Sequence, residues 1–215
     1  MSDHSDTPGP AATSRDIPSG EIISSGRLES FSDGVMAVII TLMALELRPP
    51  AGVHWSQVSH RLPSLFIYIL SFTVIAIYWN NHHHLLRVTT TISAGVMWAN
   101  LILLFWLSLV PVATQWVGGA YRDHLPAAAY AVVSLGAAVA YYVLTRAIVR
   151  ANHHDRRLIR AVGYDVKGVL SPLLYATGVG LAFLSPYLAY GCCALVSMMW
   201  VVPDRRLAAR TSHRH

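Results

Sequence analysis

The first long apolar segment of the sequence carries an ionisable side chain, Asp33, close to its beginning. Such a group at the start of a membrane-spanning helix must meet water or a polar partner, so Asp33 is a candidate functional residue. At about 100° per residue, it points away from a face that we term the stripe, formed by Phe31, Gly34, Val35, Val38, Thr41, Leu42 and Leu45. The pattern predicts an apolar stripe with one hydroxyl group, and Asp33 turned toward neighbouring helices. The alternative is that the stripe faces lipid or another helix and that Asp33 is an internal hydrogen-bond acceptor.

Histidines form the second group of residues that could do chemistry. His82, His83 and His84 are consecutive, and His153 and His154 precede an aspartate in a basic stretch. Successive helical residues point about 100° apart, so three in a row cannot converge on one ion unless the helix ends there. We therefore predict no metal site and no cofactor, and interpret these histidines as solvated or packed at the membrane interface. A divalent-cation site that modulates the protein is the alternative.

The composition identifies the elements that must position these residues. Of the 215 residues, 54% are hydrophobic and 13% are charged, against about 25% charged in soluble domains. Basic residues lie between apolar runs and not on one face of a soluble module, which excludes a nucleic-acid partner. We predict an all-α membrane protein with six transmembrane helices, over 31–48, 63–81, 95–117, 126–149, 166–184 and 186–203. The last two should form a tight hairpin, or alternatively a merged or re-entrant pair.

The distribution of lysine and arginine predicts the topology. Thirteen of the 16 basic residues fall on one side of the six segments, and cytoplasmic loops carry such an excess. Both termini are therefore predicted to be cytoplasmic. Residues 1–26 read as a disordered arm, 27–203 as the transmembrane domain and 204–215 as a basic tail.

Two other classes of membrane protein fit the sequence less well. An enzyme needs acid, base or metal groups clustered at one depth, and the histidines after the second segment have no carboxylate within a helical turn along the chain. A secondary transporter needs a central site for substrate and coupling ion, and no charged residue lies in the middle of a span. A pore needs only a stripe and symmetry, so we predict that the protein is not an enzyme.

Arg27, Phe31, Ser32, Asp33 and Gly34 form the pattern R-x-x-x-F-S-D-G at the start of the first segment. The pattern matches the signature of the TMEM175 family of potassium channels, and the sequence resembles the single-repeat prokaryotic form of that family. The likeness continues more loosely through residues 78–84 and 100–101 to Pro111. In the second half the agreement is in hydropathy and length only.

The resemblance implies a homotetramer in the prokaryotic plasma membrane, multi-pass in the lipid bilayer, whose central pore is lined by the first helix and conducts K⁺ passively. It places aliphatic constriction rings at Val38, Leu42 and Leu45 and a selectivity ring of hydroxyls at Thr41, with no Thr-Val-Gly-Tyr-Gly filter. The small size of Val38 leaves open whether it or Leu42 forms the narrowest ring.

The resemblance also gives the signature residues a structural role. Arg27 would anchor the cytoplasmic end of the helix, and Asp33 would accept hydrogen bonds from neighbouring helices. We expect its helix-packing partners to be His83, Trp98 and Asn100. The alternative functions are a proton-permeable or weakly selective cation channel, or a small secondary transporter.

Overall fold

The computed structural model describes residues 24–50, 52–156, 158–159 and 166–201. Within these ranges the chain is helical and contains no strand, which confirms the predicted all-α class. The helices are α1 (Ser25–Leu45), α2 (Trp55–Ser59), α3 (Leu62–Arg87), α4 (Ala94–Ser108), α5 (Val110–Gly119), α6 (His124–Ala151), α7 (Val166–Ala182) and α8 (Pro186–Val201).

Four stretches of helix are long and apolar enough to cross a membrane, which makes the chain a multi-pass membrane protein. They are Ser25–Leu45, Trp55–Arg87, Ala94–Gly119 and His124–Ala151, and they correspond to the first four predicted segments. The fifth and sixth predicted segments form the apolar helices α7 and α8, of 17 and 16 residues. These are shorter than the about 20 residues that span a bilayer core.

The ends of α1 differ from the prediction of 31–48. The helix begins at Ser25, so the polar residues before the apolar run form its first turns, and it ends at Leu45. Pro49 and Pro50 follow, and a proline disfavours helical geometry in the residue before it. Two residues of the predicted arm 1–26 thus belong to α1. Residues 1–23 of that arm and the predicted tail 204–215 lie outside the described residues.

Prolines affect two other predicted segments differently. The third segment is divided at Leu109 into α4 and α5, with Pro111 in the first turn of α5, where its missing N–H group is least costly. Pro172 lies inside α7, which continues past it. Residues 183–185 join α7 to α8, and the two helices pack against each other, which confirms the predicted hairpin.

The bundle has its centre at α6 and its edge at α1. Helix α6 packs against α4, α5, α7 and α8, whereas α1 packs against α3, α4 and α5. At the α4–α6 contact, Gly136 is required, because a Cβ atom there would lie 2.3 Å from the ring of Trp106. The edge position leaves one side of α1 without cover from the described part of its own subunit.

Candidate functional site

Helix α1 has two faces of opposite character. The side chains of Met36, Ile39 and Met43 are at most 3% exposed and pack into a core shared with α3, α4 and α6. On the other face the stripe residues Phe31, Val38, Leu42 and Leu45 are 48–81% exposed. The four predicted pore-lining and selectivity positions thus lie together on the uncovered side of the subunit.

Thr41 and Gly34 are the two stripe residues that are not large and apolar. The Thr41 hydroxyl donates a hydrogen bond to the carbonyl of Val38, 2.8 Å away. Its proton is therefore used within the helix, and the lone pairs of its oxygen stay available as acceptors on the exposed face. In the part of the chain that the structure describes, a Cβ atom on Gly34 would meet nothing within 4 Å. The subunit fold itself gives no steric reason for glycine at this position.

A buried chain of hydrogen bonds connects α1 to α3 and α4. The Asn100 side-chain nitrogen donates to the Ser32 oxygen at 2.9 Å, and its oxygen lies 2.7 Å from His82 Nε2. Since the nitrogen of the amide is used by Ser32, its oxygen accepts and His82 Nε2 donates. Ser32 in turn donates to the carbonyl of Leu28 at 2.9 Å. Ser32, His82 and Asn100 are fully buried, so this network fixes the rotation of α1 against the bundle.

The predicted partners of Asp33 lie in three different places. Asn100 binds the preceding residue, Ser32, because a step of one residue turns the helix by about 100° and brings the serine to face α4. Trp98 is 64% exposed, so its ring lies largely outside the packed bundle. His83 is close to Asp33. The Arg27 side chain is exposed at the first turn of α1.

Asp33 instead belongs to a half-buried cluster with Glu29 and His83. Donor atoms of the three side chains all lie within 4.8 Å of one another. His83 Nδ1 is 2.8 Å from Glu29 Oε1, and the His83 ring stacks on Trp79 at 5.9 Å between centroids. Sequence reasoning missed Glu29. Its spacing of four residues from Asp33 places both carboxylates on one side of α1 and was the available signal.

Polar contacts also hold both ends of α1. The Ser25 hydroxyl donates to the carbonyl of Leu86 at 2.7 Å, which ties the first turn to the end of α3. At the other end, Gln115 of α5 donates to the Glu46 carboxylate. Sequence reasoning did not single out either contact. Together with the Ser32 network, they attach α1 to the bundle at three heights and leave the stripe exposed except at Val35, which packs partly against the core.

Similarity to known proteins decides the family. The family described as endosomal/lysosomal potassium channel TMEM175 matches residues 27–111. A potassium channel of Chryseobacterium sp. (strain P1-3) is 42% identical over 185 residues, which cover 86% of this chain and 96% of that relative. The chain belongs to the TMEM175 family. This confirms the resemblance read from the signature around Asp33.

Two further relatives agree over more than four fifths of the chain. A potassium channel of Streptomyces collinus is 33% identical, over 86% of this chain and 98% of that protein. The crystal structure of a lysosomal potassium-selective channel TMEM175 homolog from Chamaesiphon minutus superposes with a TM-score of 0.72 at 25% identity, over 83% of this chain and 96% of that one. These relatives are named as channels and not as enzymes, which agrees with the prediction that the chain is not an enzyme. The matched range 27–111 contains the stripe and the Ser32–Asn100–His82 network.

Proposed function

We propose that this TMEM175 family member is a passive potassium channel, a homotetramer in which four α1 helices surround a central pore. The observation that carries the proposal is the stripe, an exposed apolar face with one threonine that lies opposite the buried face of α1. Four copies of an edge helix, related by a rotation axis, would bring four stripes together. The relatives in Chryseobacterium and Streptomyces, named as potassium channels, support K⁺ as the permeant ion.

Apolar rings would close such a pore without any charge movement. A constriction of aliphatic side chains that is narrow enough to exclude water blocks ions by dewetting, and a small rotation or splay of the helices admits water again. Val38, Leu42 and Leu45 are the residues for these rings. All three are exposed in the subunit, so opening of the pore would not have to extract them from its core.

Preference for K⁺ over Na⁺ would come from hydration. The larger ion has the lower cost of partial dehydration, and Thr41 would replace some of the lost oxygen ligands. Its hydroxyl proton is bonded to the Val38 carbonyl, which leaves the oxygen lone pairs for a cation on the axis. Arg27 would anchor the cytoplasmic end of α1.

We further infer six spans per subunit, with both termini in the cytoplasm of a prokaryotic cell and the protein in its plasma membrane. At 1.5 Å per residue, helices of 17 and 16 residues are about 26 and 24 Å long, close to the about 30 Å of a bilayer core. Both pack against α6, which itself is long enough to span. An even number of spans also keeps the basic stretch around 146–167 and the basic end of the sequence on one side.

The test is ion flux across the membrane of liposomes that contain the purified protein. An outward K⁺ gradient should drive passive K⁺ efflux that exceeds Na⁺ flux under a matched gradient, and chemical cross-linking should trap four chains. Equal K⁺ and Na⁺ flux, or proton flux that exceeds both, would support the weakly selective or proton-permeable alternative. Flux of one ion that requires a gradient of another would identify a secondary transporter and contradict the channel.

A further inference from the structure

The cluster of Glu29, Asp33 and His83 gathers three metal-binding groups from two helices. The two carboxylates are one turn apart on α1, and the imidazole comes from the facing surface of α3. Their donor atoms all lie within 4.8 Å of one another. Zn²⁺ ligands at about 2.0–2.2 Å from the ion are about 3.3–3.6 Å apart in a tetrahedral site. A separation of 4.8 Å would have to shorten by about 1.2–1.5 Å, whereas His83 Nδ1 and Glu29 Oε1 are already 2.8 Å apart. Side-chain rotation can provide these changes.

Within the described part of the chain, two buried atoms of the cluster, Asp33 Oδ1 and His83 Nδ1, make no hydrogen bond. The 2.8 Å contact between His83 Nδ1 and Glu29 Oε1 is close in distance, but it is not aligned as a hydrogen bond. Buried polar atoms without partners are rare because each keeps the cost of losing water. A ligand that accepts lone pairs from both atoms would remove that cost.

The charge of the cluster also favours a cation. Carboxylates at positions i and i+4 of a helix repel each other. In the part of the chain that the structure describes, the ion pair formed by this cluster is Glu29 with His83, and no lysine or arginine pairs with either carboxylate. Of the neighbouring histidines, His82 binds Asn100 in the buried network, and His84 is exposed, with its ring edge-on to the His83 ring at 5.8 Å between centroids.

We propose that Glu29, Asp33 and His83 bind a divalent transition-metal ion, with Zn²⁺ as the best match. One imidazole nitrogen and two carboxylate oxygens suit first-row transition metals, whereas Mg²⁺ and Ca²⁺ favour ligand sets of oxygen alone. Three protein ligands leave a fourth tetrahedral position for water. The ion would bridge α1 to α3 through Asp33 and His83, the residues that follow Ser32 and His82 of the buried network. This metal site is a property separate from the proposed channel function, because Zn²⁺ binding does not depend on K⁺ conduction.

The test measures Zn²⁺ binding by calorimetry on the full-length protein in detergent, after removal of metals with EDTA. His153 and His154, whose rings are 3.7 Å apart, could bind Zn²⁺ themselves, so all proteins carry glutamine at both positions. We expect one Zn²⁺ per chain. His83→Gln and Glu29→Gln should each weaken binding about 100-fold or more, since loss of even an outer partner costs about 10- to 100-fold. The exposed neighbour provides the matched control, and His84→Gln should bind as the parent does.

X-ray absorption of the Zn²⁺-loaded parent provides a readout that does not require any substitution within the site. One imidazole and otherwise oxygen ligands at about 2.0–2.2 Å would support the site. The proposed site would be overturned if the ion carried two imidazoles or if the parent did not bind Zn²⁺ stoichiometrically. Full affinity in His83→Gln would overturn it as well. Raised thermal stability of the parent with Zn²⁺, absent in His83→Gln, would be further support, because a ligand that binds only the folded state stabilises it.

Discussion

Asn100→Ala is the substitution that most directly tests how α1 is held. The alanine removes the acceptor of His82 and the donor to Ser32 in one step. The hydrogen bond that Ser32 donates to Leu28 remains, so the main loss is a buried His82 N–H without an acceptor. Such a group costs about 1–3 kcal/mol, and an interhelical hydrogen bond in membrane proteins contributes about 0.6 kcal/mol on average. We expect the free energy of unfolding to fall by about 2–3 kcal/mol.

The measurement is unfolding by SDS titration in mixed micelles, followed by tryptophan fluorescence. Asn81→Ala is the matched control, because among the described residues the Asn81 side chain bonds to the carbonyl of Ile77 in its own helix and to no other group. We expect a change within about 0.5 kcal/mol. Ser32→Ala and the double variant with Asn100→Ala complete a cycle, in which the two losses should not add. If Asn100→Ala unfolds no more easily than Asn81→Ala, or if the losses add fully, the network does not hold α1 as we infer.

Three further predictions concern the stripe and the packing of glycines. Leu42→Asn should raise passive K⁺ leak in proteoliposomes, since a polar ring admits water. Ala44 is exposed on another face of α1, so Ala44→Asn should not raise the leak. Equal leak in the two variants would contradict the stripe as the pore surface. Thr41→Val should lower the K⁺ to Na⁺ flux ratio while conduction persists, and an unchanged ratio would exclude the hydroxyl from selectivity. Gly136→Ala should destabilise the protein by about 1–3 kcal/mol, because its Cβ would lie 2.3 Å from the indole ring of Trp106. Gly34→Ala should not affect subunit stability, because no described atom lies within 4 Å of the added Cβ. Thermal unfolding compares the last two, and equal stability would show that the indole relocates at no cost.

The helical class, the first four apolar segments, the hairpin and the family could be predicted from the sequence, because each depends on hydropathy or on a local motif. The ends of α1 could not, since the hydropathy of residues 25–30 does not show that they continue the helix. The network around Asn100 was missed for a different reason. Ser32 and Asp33 are adjacent and both polar, and only the packing of α4 decides which of them faces Asn100.

The cluster of Glu29, Asp33 and His83 was also missed because it depends on packing between helices, here between residues far apart in the sequence. The three consecutive histidines do not converge, since they lie in continuous helix with His82 buried and His84 exposed. A site formed between two helices is not excluded by that geometry. His83 meets its carboxylates across 50 to 54 residues of sequence, and the register of α3 against α1 that brings them together has no signature in the chain itself.

The separation of the two faces of α1 has a consequence for how this protein can vary. Stability of the single chain depends on the buried face, where Met36, Ile39 and Met43 fill the core. Val38 and Leu42 contribute little to it, because they are about half exposed in the folded subunit. Substitutions there need no compensating change in the core, and most proteins have little stability to lose. Selection on an assembly built around this face can therefore act on these positions almost independently of selection for a folded chain.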